Sequence, residues 1–230
     1  MGQFNQTILV VAAHPDDEIL GCGGTMAKLA ALGCKVHVVF LADGETSRTG
    51  LTSAEHAVLI DARRQQAAHA MLEIGCSSWT FHDYPDNCLD TVPLLELAKT
   101  VEKQVKELRP KKVFTHFPGD LNIDHQIVSR AVLTACRPIK GHSVGEILYF
   151  EVPSSTEWNP GADFTPNCYV NIEGYLDIKI KAMRLYQDEL RDFPHPRSDE
   201  AIRALASYRG ASSGLLAAEG FVIARKIYQE

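Results

Sequence analysis

The chain has 230 residues, 45% of them apolar, which is enough to bury a large core and suits one α/β unit better than two. Its formal net charge of −6 argues against general affinity for nucleic acid, which favours a basic face. There is no run of about 18 apolar residues to span a membrane, and the six cysteines show neither a CxxC pair nor zinc-finger spacing.

Residues 7–13 (TILVVAA) form an unbroken, β-branched apolar run, as expected of a strand buried on both faces of a parallel sheet. Helical spacing follows over 18–32, with Gly33 as the stop, and 35–41 reads as a second strand. This is a βαβ unit with a right-handed crossover. A helix over 55–75 ends at Gly75, a short strand is expected at 79–81, and 92–108 carries one apolar face up to Pro110. Then come a strand at 112–116, a helix at 126–136 and a strand at 146–152. Beyond 152 the alternation weakens: strands are expected at 167–172 and 221–227, helices at 175–190 and 198–208. The expected fold is a single α/β domain over 1–230, a Rossmann-like, mostly parallel sheet with helices on both faces. Its core spans about 6–152, with a C-terminal extension over about 153–230. The opening residues lack a basic leader and run into three acids, so they do not read as a secretion signal. A cytoplasmic protein with reduced, scattered cysteines is expected.

Two segments carry chemistry. His14-Pro15-Asp16-Asp17-Glu18 follows the first strand at the carboxyl edge of the sheet, where open α/β sheets bind ligands. His14 and Asp17, three apart across a proline-stiffened turn, can converge on one cation, and an N/O donor pair suits zinc. Asp16 would stand beside the metal as general base. The bland alternative is that these acids merely cap a helix. Asn122-Ile123-Asp124-His125 is expected in a strand-to-helix loop on the same edge. His125 can supply a third ligand there and leave a fourth position open, while Asp124 supports the network. Gly21, Gly23 and Gly24 come too late after the strand for a dinucleotide fingerprint and read as points of close approach.

Here the chain resembles the LmbE-like, or PIG-L, de-N-acetylases, through Ala13 to Glu18, the 122–125 segment, the helix around Arg63 and Tyr84-Pro85-Asp86-Asn87. The resemblance covers most of 7–137. It implies one Zn2+ per chain at His14, Asp17 and His125 (other divalent metals being compatible) with Asp16 as base and acid. It also implies Asp124 in the catalytic network, Arg63 and Asp86 on the sugar, and hydrolysis of an N-acetyl amino sugar to acetate. Asn122 stands where the family usually has a histidine thought to stabilise the oxyanion; an amide can donate there, though without charge. His195, between two prolines, is a candidate to take over that contact with substrate, and His116 is a second. The expected partner is a small N-acetylated sugar, not nucleic acid or membrane, and association with a second copy of the chain is compatible with this reading. Two rivals remain: a non-catalytic zinc- or sugar-binding module, and a nucleotide-binding, glycosyltransferase-like protein.

Overall fold

In the computed structural model, which describes residues 6–228, the first strand β1 (Thr7–Ala12) is buried along nearly its whole length. Ile8, Val10 and Ala12 join one apolar cluster, and Leu9, Val11 and Ala13 join another on the opposite face. That division is the physical cause of the unbroken apolar run. After β1 come α1 (Asp17–Ala31), β2 (Lys35–Ala42), α2 (Ser53–Ile74), β3 (Ser78–Tyr84), α3 (Leu94–Leu108), β4 (Lys112–His116), α4 (Ile123–Ala135) and β5 (Glu146–Phe150). The rest of the chain adds β6 (Cys168–Asn171), α5 (Leu176–Met183), α6 (Asp199–Ala211) and β7 (Ala218–Lys226).

The strands form one sheet in the order β3-β2-β1-β4-β5-β7-β6. The first five are parallel; β7 runs antiparallel to β5, and β6 antiparallel to β7. Helices α1, α2 and α5 pack together, while α3 packs on α4. Because β2 and β4 flank β1 on opposite sides, the chain reverses direction there, and the crevice at the carboxyl ends of β1 and β4 is the expected ligand site.

Besides shifts of a few residues at element ends, three differences bear on the site. Helix α4 begins at Ile123 rather than 126, because the Asn122 side chain accepts from the Asp124 and His125 N–H groups. His125 therefore sits in a first helical turn, not in a loop. The helix expected over 175–190 ends at Met183, and the following turns carry Tyr186 and Glu189 to partners near the first loop. Such buried polar pairings outweigh the few tenths of a kcal/mol per residue that helix propensity supplies. Helix α1 is broken at Cys22, whose φ is −147°. The break is filled by a buried pair: Lys179 Nζ donates to Leu20 O (2.8 Å) and to Glu219 Oε1 (2.7 Å). The Glu219 carboxylate accepts from the freed N–H groups of Gly24 (2.9 Å) and Thr25 (2.7 Å). A side chain at Gly21 would strike the Phe150 ring, and one at Gly24 would meet Ile172, so these glycines do mark close approaches.

Candidate active site

The loop after β1 is tied back on itself. The His14 N–H donates to Asp17 Oδ2 (2.8 Å), and Asp16 adopts φ 132°, a region that costs a non-glycine residue energy and is typically held by its surroundings. Asp16 stands at the N-cap position of α1, yet its side chain makes no capping hydrogen bond. Capping alone therefore does not explain these acids.

Three donor atoms converge. His14 Nδ1 and His125 Nε2 each lie 3.3 Å from the same Asp17 Oδ2. The three side chains come from the β1 loop, the start of α1 and the first turn of α4. Asp17 and His125 are buried, and His125 Nε2 has no hydrogen-bond partner among the described residues. A buried, unpartnered imidazole nitrogen beside a carboxylate and a second imidazole fits a divalent cation of zinc type.

The other nitrogens of both histidines face carboxylates, the arrangement that orients metal-binding imidazoles. His14 Nε2 lies 3.0 Å from Asp124 Oδ2 and 3.1 Å from Asp86 Oδ1; His125 Nδ1 lies 3.1 Å from Asp120 Oδ1. Asp124 also accepts from the Asn87 (2.8 Å) and Leu89 (2.9 Å) N–H groups. Asp120 is held by the Ser155 and Thr156 hydroxyls and the Asn122 N–H. A second grouping, His14 with Asp86 and Asp124, uses the other His14 nitrogen, but its acids are already engaged in these bonds. His116 is buried and stacks on His125 with ring centroids 3.9 Å apart. Its Nε2 accepts from the Ala13 N–H (2.8 Å), so that nitrogen supports the loop rather than donating to an oxyanion.

Electrostatics follow from burial and pairing. Burial opposes charge on Asp17, but His125 and His116 hold its carboxyl well below the ordinary range. Burial likewise opposes charge on His125, yet Asp17 and Asp120 raise its pKa to about 9. Burial pushes the Asp16 carboxyl up to about 7, against the pull of Arg197. Arg197 Nη1 donates to Asp16 Oδ2 (2.8 Å) and Glu189 Oε2 (2.7 Å), and its Nε donates to Ser154 Oγ (2.7 Å).

A polar cavity of about 350 Å³ opens over this centre. His14, Asp16 and His125 line it, together with Arg63, Asp86 and Asn122. Arg63 is buried, its Nε donating to Glu45 Oε1 (2.9 Å) and its Nη2 to Glu189, so it is no solvated helix charge. Asn122 Nδ2 donates one hydrogen to Asn87 Oδ1 (2.9 Å). The structure does not bring His195 to the cavity wall; its ring packs edge-on against Trp158, and its Nδ1 accepts from the Arg197 N–H (3.1 Å). The loop delivers Arg197 instead, two residues on. Arg197, Glu189 and Asp120 carry no local sequence signal of their own, although Arg197 shares the proline-flanked segment with His195.

The family described as PIG-L, GlcNAc-PI de-N-acetylase, matches residues 9–136, and this chain belongs to that family. An uncharacterized deacetylase of Escherichia coli, YaiS, is 28% identical over 186 residues, covering 78% of this chain and 90% of that protein. The diacetylchitobiose deacetylase of Thermococcus kodakarensis is 25% identical over 222 residues, covering 93% of this chain and 81% of the relative. A 4-oxalmesaconate hydratase of Pseudomonas putida is 30% identical over 202 residues, covering 80% and 74%.

Proposed function

We propose that this chain hydrolyses the acetamide of an N-acetylated amino sugar or sugar conjugate, releasing acetate, with one zinc ion held by His14, Asp17 and His125. The observation that carries the proposal is the convergence of the three donor atoms, with the Asp16 carboxylate, which makes no capping bond, beside them under an open polar cavity. When bound, the cation supplies a Lewis acid that polarises the acetyl carbonyl and lowers the pKa of water from about 15.7 toward 7. Asp16 accepts the proton of the attacking water and passes it to the departing amine. Arg197 holds that carboxylate through its Nη1. Asn122 offers its second amide hydrogen to the tetrahedral oxyanion, while Arg63 and Asp86 face the sugar hydroxyls. Asp124 acts through His14, as a positioning residue in this network. A cytoplasmic site of action belongs to the same proposal.

A second reading is favoured by the four arginines around the cavity, Arg48, Arg63, Arg191 and Arg197, and by the hydratase relative. In it, water adds to a small polycarboxylate that the arginines clamp. One panel separates the two: acetate release from N-acetylated sugars, and consumption of 4-oxalmesaconate, each with and without chelator. Chelator-sensitive acetate release is expected. Turnover of the polycarboxylate without any acetate release would overturn the first reading.

A further inference from the structure

Asp16, Asn87 and Ser154 line the cavity with positive φ, and at 132° Asp16 lies furthest from the ordinary left-handed region, in a conformation that costs a non-glycine residue energy. Its carbonyl accepts from the Ile19 (3.1 Å) and Leu20 (3.0 Å) N–H groups, and its carboxylate is held by Arg197. The remaining anchor is its own N–H, which donates to Glu18 Oε2 (2.9 Å). Glu18 is completely buried, and its other oxygen, Oε1, accepts from the Tyr186 hydroxyl (2.5 Å). Tyr186 is also completely buried, and arrives from the turn after α5, remote in sequence from the loop it supports. Neither side chain lines the cavity, so neither touches substrate.

We propose that Tyr186 is a positioning residue for the general base: its hydroxyl fixes Glu18, and Glu18 holds Asp16 in the conformation that aims its carboxylate over the metal ligands. The proposal rests on the hydrolytic reading above. A buried carboxylate with one oxygen unpartnered can rotate toward another donor, and its grip on the Asp16 N–H would then loosen. The strained loop would relax, and small displacements of a catalytic group cost rate steeply.

Tyr186→Phe removes only the hydroxyl and keeps the ring that fills the core. Steady-state kinetics with an N-acetylated sugar, thermal melting and metal analysis are made on this variant, on Asp16→Asn and on the double variant. The expected result for Tyr186→Phe is a fall in kcat of about tenfold or more, within the range misplacement produces, with KM and metal content retained. In the Asp16→Asn background the same substitution is expected to leave kcat unchanged, because a residue that acts through Asp16 has nothing left to position. A merely structural role would lower the melting temperature without that dependence on Asp16. An unchanged kcat, an equal loss in both backgrounds, or loss of metal overturns the proposal. A crystal structure of Tyr186→Phe reads the Asp16 backbone without any substrate, so it separates this inference from the hydrolytic reading. Relaxation of Asp16 out of positive φ supports the anchor even if no sugar is turned over, and an unchanged Asp16 overturns it.

Discussion

The two halves of the site are built in different ways. The half with the candidate metal ligands comes from two short segments, 14–17 and 120–125, each following a parallel strand at the same sheet edge. The other half comes from the chain beyond 152, which lends single residues across long sequence distances. Tyr186 reaches Glu18, Arg197 ties Asp16 to Glu189, and Lys179 with Glu219 fill the break in α1. The first half supplies the proposed ligands from local geometry; the second holds the loop that carries His14, Asp16 and Asp17. A region without a compact motif can thus be as necessary to a site as the segment that names it.

The largest expected effect tests the division of labour inside the first half. Asp16→Asn keeps the shape of the side chain but removes the proton acceptor, so activity should fall about 10²–10⁴-fold while metal is retained. Loss of metal in that variant would make Asp16 a ligand and erase the distinction between it and Asp17. Next comes the second half: Lys179→Met leaves Glu219 buried without its counter-charge. Breaking a buried pair in this way should cost about 3 kcal/mol of stability, read by denaturant unfolding. A change below about 0.5 kcal/mol, the usual range for inconsequential sites, would show that the break in α1 is held by other contacts.

A smaller effect is expected at Asp124, which faces His14 without belonging to the triad of proposed ligands. Asp124→Asn should weaken metal binding about 10–100-fold in a competition titration with a chromophoric chelator. Undiminished affinity would mean that Asp86 alone orients the His14 ring. The smallest effect belongs to His195, which lies off the cavity wall. His195→Ala should change kcat/KM by less than about threefold, far under the cost of losing an oxyanion donor. A loss of 10² or more would restore it as the substitute for the family's usual histidine.

The strand-helix alternation, the parallel sheet and its functional edge were legible because each depends on local periodicity and on turn residues. The meeting of His14, Asp17 and His125 at one sheet edge was legible for a related reason: polar side chains three residues apart in a tight turn, and a histidine after the next strand on that edge, leave a mark in sequence. The exact start of α4 was not, since Asn122 was read for its chemistry, while its side chain also caps the helix. Tertiary structure alone decided that the helix over 175–190 stops at Met183, that Arg197 rather than His195 reaches the cavity, and that Asp120 backs His125 while Asp124 backs His14. The physical reason is common to all three. A buried carboxylate or guanidinium takes whichever partner the packed chain brings within hydrogen-bond reach, and that partner can lie anywhere along the sequence.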